Sequence, residues 1–413
     1  MLKLYNSLTR QIEPFKTTEN MTAKMYSCGP STYQAPHIGN YRTFLFEDIL
    51  QRYLEYLGYR VQWLMTLTDV EDKAIAEAKR KNSSIEELTR ENEAQLCRDF
   101  ELLRVKAPSI MARASTAVAQ SAKLMKILVE KGHAYWYTYK GRRNAYFVPK
   151  SYPGFGKLSH LNTGMWPKQR RRFHKDTYPG TPWNKGDFVI WHGCKDNELC
   201  YETEIGRGRP AWNIQDAAIV TQNLGFHVDI ATGGTDNLVR HHDYTLAVSE
   251  SVSGRAFADY WLHGAHLLVE GAKMSKSKGN VIYPHDLTMK GFTGEQIRFF
   301  LIYGHYRKRL NFTFAKLNVA SGKLDAFQKM VVSLRKPKSS SSRNGAEKIV
   351  SGIVSGFEEC MSNDLDVKGA FDSVFNNLIR LDKLRKNAEL SVHDAKAALE
   401  GLERIDRVFR VIS

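Results

Sequence analysis

Two short segments carry the residue types that phosphate chemistry needs. The first is Pro36-His37-Ile38-Gly39-Asn40, and the second is Lys273-Met274-Ser275-Lys276-Ser277-Lys278-Gly279-Asn280. When a carboxylate attacks the α-phosphate of ATP and pyrophosphate leaves, negative charge builds on the phosphates. Donors must already stand where that charge develops. A helix N-terminus entered through a close glycine turn supplies backbone N–H groups and a favourable dipole. His37 and Asn40 add side-chain donors at that turn. Lys273 and Lys276, on a polar loop, can close over the leaving group. Either segment alone also reads as an ordinary turn or loop. Both together, in this order and separated by sheet-like segments, point to nucleotide activation.

These residues need a scaffold, and the surrounding pattern supplies one. Met25–Ser27 reads as the end of a short strand broken by Cys28-Gly29-Pro30, with a loop running to His37. Phe46, Ile49, Leu50, Tyr53, Leu54 and Leu57 share one face of a helix over 41–57. Gly58 stands where a helix C-terminal glycine belongs. Val61, Trp63 and Met65 alternate as a strand. Strand, helix and strand within roughly forty residues make a βαβ unit of a parallel sheet.

Residues 80–130 read as helices. From 135 to 205 the chain is rich in Tyr, Trp, Gly and Pro and carries the basic run 168–175 (KQRRRFHK), read as a solvated loop or an RNA contact. Apolar segments resume at 218–220, 228–230 and 260–269. The stretch 335–345 (RKPKSSSSRNG) has linker composition. Helical spacing returns at 349–357, 370–381 and 395–411. The expected fold class is α/β. The first half of a Rossmann-type parallel sheet occupies 1–134, a connective insertion 135–205 and the second half 206–270. The lysine loop and its following region take 271–334, a linker 335–346 and an α-helical bundle 347–413.

At 413 residues the chain is too long for one ordinary core. Its composition, 42% hydrophobic and 25% charged, is globular. No apolar run reaches the ~20 residues of a membrane span, and 1–15 lacks the apolar block of a signal peptide. The five cysteines are scattered (Cys28, Cys97, Cys194, Cys200, Cys360), so a disulfide framework is not expected and a cytoplasmic setting is. A formal charge of +16 suits a polyanionic partner such as RNA, or simply a soluble surface.

With these residues in view, the chain resembles the class I aminoacyl-tRNA synthetases, and most closely cysteinyl-tRNA synthetase. The class's signature pair stands here as HIGN and KMSKS. The closer likeness rests on Tyr26-Ser27-Cys28-Gly29-Pro30, Leu67-Thr68-Asp69-Val70-Glu71-Asp72-Lys73, Gly208-Arg209-Pro210-Ala211-Trp212, Gly233-Gly234-Thr235-Asp236, His241-His242 and Arg298-Phe299-Phe300-Leu301. It covers nearly the whole chain. It implies an ATP- and Mg²⁺-using ligase that forms an aminoacyl-adenylate. ATP contacts are implied at His37, Gly39, Asn40, Gly234, Asp236, Lys273, Met274, Ser275 and Lys276. An amino-acid pocket is implied at Cys28, Thr68, Trp212, Asp216 and His241.

The departures cluster in that pocket. In the family a zinc ion at its floor binds the substrate thiol and is held by two Cys, a His and a Glu. Cys28 and His241 match two of these, but Asp216 stands at the second Cys and Thr245 at the Glu. Two readings stay open: Cys28, Asp216 and His241 hold zinc with one open position, or Cys28 is a buried thiol and His241 a hydrogen-bonded core histidine. The family usually continues past the bundle into an anticodon-recognising domain. The related mycothiol-pathway cysteine ligase shares the early end and the Thr. The first expectation is therefore transfer of the aminoacyl group to a small-molecule amine. The alternatives are tRNA charging of the cysteine–tRNA ligase type and a non-catalytic RNA-binding paralogue.

Overall fold

The computed structural model describes residues 1–139, 141–162, 186–194, 198–275, 278–337, 339 and 341–412. Lys276 and the basic run 168–175 lie outside the described residues.

Five parallel strands form the central sheet, in the order Ala258–Gly264, Val228–Gly234, Thr22–Ser31, Arg60–Thr68, Ile110–Arg113. A parallel sheet of this kind must be covered on both faces. One face takes Tyr41, Leu45 and Ile49 from the helix Ile38–Tyr56. The other takes Ile214 and Ala218 from the helix Trp212–Asn223 and Val248 from the helix Asp243–Ser253. The chain first builds outward from Thr22–Ser31 and later returns to its other side. The order therefore reverses between Thr22–Ser31 and Val228–Gly234, and a crevice opens at the carboxyl ends of those two strands. Cys28 and Gly234 sit there.

The βαβ unit has the expected parts. The helix ends beside Gly58, which adopts φ +93°, and the second strand is Arg60–Thr68. One detail differs. The first strand does not stop at Cys28 but continues to Ser31 through a register shift between Cys28 and Ser31. Gly29 permits this, because a Cβ there would lie 2.0 Å from the Thr66 carbonyl oxygen. The edge strand Ile110–Arg113 interrupts the segment expected to be wholly helical. Residues 218–220, expected only as an apolar segment, lie in the helix Trp212–Asn223.

The insertion is built around a four-stranded antiparallel sheet, Ala134–Tyr139, Arg142–Phe147, Phe188–Gly193 and Gly208–Pro210. It closes on the core through Phe188, which stacks on Tyr244 at 3.8 Å between ring centroids. Cys194 and Cys200 are disulfide-bonded, where no disulfide framework was expected. Their Cα atoms lie 6.0 Å apart, a proximity that scattered spacing does not reveal.

Helices Phe314–Leu334, Ala346–Ser362, Val367–Lys386 and Val392–Phe409 form the C-terminal part. At the end of the linker-like stretch, Arg343 N donates to Glu389 O at 2.9 Å, and Ser391 N donates to Ser342 Oγ at 2.7 Å. Arg298, fully buried, joins the bundle to the helix Ile38–Tyr56. Its guanidinium pairs with Asp48 at 2.6 Å and donates to the carbonyls of Phe409 and Leu103 at 2.7 and 3.0 Å. Among the described residues no helix is long and apolar enough to cross a membrane.

Candidate active site

A crevice of about 590 Å³ opens at the sheet's switch point, a size suited to a small-molecule site. It brings together His37, Gly39 and Asn40, Gly234 and Asp236, Lys273 and Met274, and Cys28, Thr68, Trp212 and His241. Asp216 lies directly behind, bonded to His241. Residues from 28 to 274 thus converge.

His37 caps the helix Ile38–Tyr56. Its Nδ1 accepts from Asn40 N at 3.3 Å, and its own N–H donates to Asn40 Oδ1 at 3.0 Å. This is a capping box made of His and Asn. With Nδ1 accepting, the proton of the neutral ring belongs on Nε2. Burial keeps the ring's pKa below its ordinary value, which favours that neutral donor. Gly39 is required by close approach: a Cβ would lie 2.6 Å from Met274 Cε and 3.0 Å from the His37 ring. The two phosphate-directed segments therefore touch. A further tie runs from Ile38 N to Ile282 O at 3.0 Å.

Lys273, largely exposed, stands 3.9 Å from Asp236, which is also 3.9 Å from His266. Gly234 lets that carboxylate fold back, since a Cβ there would lie 2.6 Å from Asp236 Oδ1. Ser275 N donates to Asn280 Oδ1 at 2.9 Å, and Asn280 Nδ2 donates to Lys273 O at 3.4 Å. Asn280 thus staples the base of the lysine loop. It closes the sequence motif, which is the signal that could have found it.

The crevice floor is a buried polar cluster. Cys28 Sγ lies 3.0 Å from His241 Nε2, which lies 2.5 Å from Asp216 Oδ2. Tyr26 donates its hydroxyl to the same carboxylate oxygen at 2.6 Å. The sequence marks Tyr26 only as part of a motif. Its position two before Cys28, on the same strand face, is the pattern that places it here. Trp212 stacks on the His241 ring with centroids 5.4 Å apart, and Asp216 follows one helical turn later. Burial pushes the Cys28 thiol up. Burial also opposes the His241 cation, but Cys28 and Asp216 outweigh it and hold its pKa well above the ordinary value. For Asp216, burial is likewise overcome by His241, and its pKa falls.

The donor set suits a metal. One ligand atom from each of Cys28, Asp216 and His241 lies within 4.8 Å of the others. Three protein donors are what a zinc site with one open position uses. Thr245, at the position of the family's Glu, has a buried hydroxyl that donates to His241 O at 3.0 Å. Asn213 donates its amide N–H to Val189 O at 2.7 Å, and its amide oxygen is buried without a hydrogen-bond partner.

The fold is shared with solved class I synthetases. Mycobacterium tuberculosis methionyl-tRNA synthetase bound by methionyl-adenylate superposes with a TM-score of 0.71 at 15% identity, over 94% of this chain and 92% of that one. The family profile "tRNA synthetases class I (C) catalytic domain" matches residues 14–322. Cysteine–tRNA ligase of Chlamydia muridarum is 36% identical over 100% of this chain and 88% of its own length. The Brachyspira hyodysenteriae enzyme of the same name is 33% identical over 98% of this chain and 85% of its own. The chain belongs to the class I aminoacyl-tRNA synthetase family, in its cysteine-type branch. It is an ATP-dependent ligase.

Proposed function

We propose that this chain activates an amino acid as its adenylate and passes the aminoacyl group to tRNA, as a ligase of the cysteine–tRNA type. The observation that carries this reading is likeness along the whole chain to cysteine–tRNA ligases, at 36% identity for the Chlamydia muridarum enzyme. That likeness favours tRNA over the small-molecule amine first expected.

In the activation step an oxygen of the amino-acid carboxylate bonds to the α-phosphorus of ATP. The bond from that phosphorus to the bridging oxygen breaks, and pyrophosphate leaves with the electron pair. ATP enters with magnesium on its phosphates. His37 Nε2–H and the N-terminal amides of the helix Ile38–Tyr56 meet the phosphates. Lys273 faces the departing pyrophosphate, with Lys276 assigned the same task. Asp236, beside Gly234, is placed to accept from the nucleotide's hydroxyls, and Met274 packs over Gly39 to hold the loop close.

The amino-acid side chain goes to the floor, between Trp212 and Thr68. Zinc held by Cys28, Asp216 and His241 would there bind a thiolate side chain. Tyr26 fixes the orientation of Asp216, and Trp212 fixes that of the His241 ring.

ATP–pyrophosphate exchange across all amino acids, with charging of unfractionated tRNA before and after RNase treatment, tests the reading. Exchange stimulated by cysteine, with RNase-sensitive acceptance, is the expected result. Acceptance by an amine after the RNA is destroyed would return the small-molecule reading to first place.

A further inference from the structure

A second cavity, about 350 Å³, lies between the loop 304–309 and the start of the helix Val367–Lys386, with Arg42 of the helix Ile38–Tyr56 in its lining. His305, Arg307, Lys308 and Arg309 of the loop line it. The neighbours of each residue show which of these charges are already used.

The loop's backbone is fixed from below. Arg42, buried, donates to the carbonyls of Leu301 at 2.8 Å, His305 at 3.3 Å and Lys308 at 2.7 Å. Tyr306 stacks on Phe46 at 4.9 Å and donates its hydroxyl to Asp364 at 2.7 Å. Arg307 pairs with the same carboxylate at 2.6 Å and lies over the Tyr5 ring at 4.3 Å. His305 lies 3.3 Å from Asp364 as well. Asp366 accepts from Gly369 N at 3.0 Å, and Lys368 pairs with Asp372 at 2.5 Å. Lys308 and Arg309 remain. Both are exposed, and neither has a carboxylate partner among the described residues. Because the backbone is already fixed, binding an anion orders only the two side chains and not the loop, which suits two unspent cations to a phosphate contact.

The loop is also joined to the catalytic crevice. Leu310 N donates to His266 O at 3.3 Å, and the strand Leu310–Phe312 pairs in parallel with Leu267–Val269. The latter pairs with Ala272–Lys273, which carries the catalytic-loop lysine. Arg309 is near enough for its charge to act on His266, a crevice residue.

Resting on the tRNA reading above, we infer that Lys308 and Arg309 form a docking point for the phosphodiester backbone of the RNA acceptor. One strand separates this point from Lys273. A backbone held here approaches the adenylate from the side of the lysine loop.

The test is the salt dependence of binding to unfractionated tRNA, by anisotropy, for wild type, Lys308→Ala/Arg309→Ala and the charge-keeping Lys308→Arg/Arg309→Lys. The alanine pair should weaken binding at least about 10-fold near 150 mM salt. It should also flatten the log–log salt slope by about 2, one for each phosphate left without its cation. The charge-keeping pair should retain the wild-type slope. An alanine pair with the wild-type slope and affinity overturns the docking point while leaving tRNA charging intact. Wild type that binds tRNA through these cations yet charges none overturns the charging reading and leaves the surface standing. Wild type with no tRNA affinity overturns both.

Discussion

Replacing Lys273 by alanine separates catalysis from folding more cleanly than any other change in the crevice. The side chain is 62% exposed, and its nearest carboxylate, Asp236, is 45% exposed at 3.9 Å. An ion pair that open to solvent contributes roughly 0.2–1 kcal/mol. Thermal or urea unfolding of Lys273→Ala should therefore move by no more than about 1 kcal/mol. Activation should suffer far more. Lys273 is proposed to face charge that appears only as pyrophosphate departs, and removing one such preorganised donor costs about 2.7–4 kcal/mol. At about 1.4 kcal/mol per decade that is a 10²–10³-fold loss in exchange rate. The assay is ATP–pyrophosphate exchange at saturating amino acid, with unfolding curves on the same preparations. An exchange loss below about threefold would remove Lys273 from the chemistry. A loss matched by an equal fall in stability would make its role structural.

His37→Ala should cost about 1 kcal/mol of stability, as loss of a helix cap does, and should raise the KM for ATP more than that for the amino acid. An effect confined to the amino-acid KM would place His37 in the wrong subsite. Asp216→Cys with Thr245→Glu should tighten zinc binding and sharpen preference for cysteine over serine. The metal-free double variant should lose about 1–3 kcal/mol, since the buried Tyr26 hydroxyl loses its charged acceptor; stoichiometric zinc and strong cysteine selectivity already in wild type would show that three donors suffice. His263 is buried between His242 Nδ1 and Ser7 Oγ, each at 2.8 Å, and burial lowers its pKa to about 3. The unfolded chain, with a histidine pKa near ~6.5, takes up that proton first as pH falls. The stability is thus present above ~6.5 and drains toward pH 3 at up to about 1.4 kcal/mol per pH unit. Urea unfolding of wild type and His263→Gln from pH 7 to 5 should give a shallower slope for the variant; parallel slopes would contradict the buried neutral ring.

Sequence alone determined what local rules govern. The helix beginning near His37 follows from apolar spacing and Gly58, and the flanking strand from alternation. The segments at His37 and Lys273 stand out by residue types that together, and in this order, suit a charged leaving group. These are patterns within some twenty residues, where 3.6- and 2-residue periods speak directly. What only the tertiary structure decided involves partners far apart in the chain. The Cys28–His241–Asp216 cluster spans 213 residues between its first two members and is assembled by the sheet's switch point. Tyr26 gained a role only when Asp216 arrived opposite it. Gly29 carries its strand onward because Thr66 passes close on the neighbouring strand. Cys194 and Cys200 pair with their Cα atoms 6.0 Å apart, which their scattered spacing did not announce. Five cations in and around the loop 304–309 look alike in the sequence, yet buried backbone carbonyls occupy Arg42, Asp364 from a distant segment occupies Arg307 and Asp372 on its own helix occupies Lys368, leaving Lys308 and Arg309 to meet a partner. A charge's availability is decided by what packs against it, and the packing of distant segments is not written in any local period.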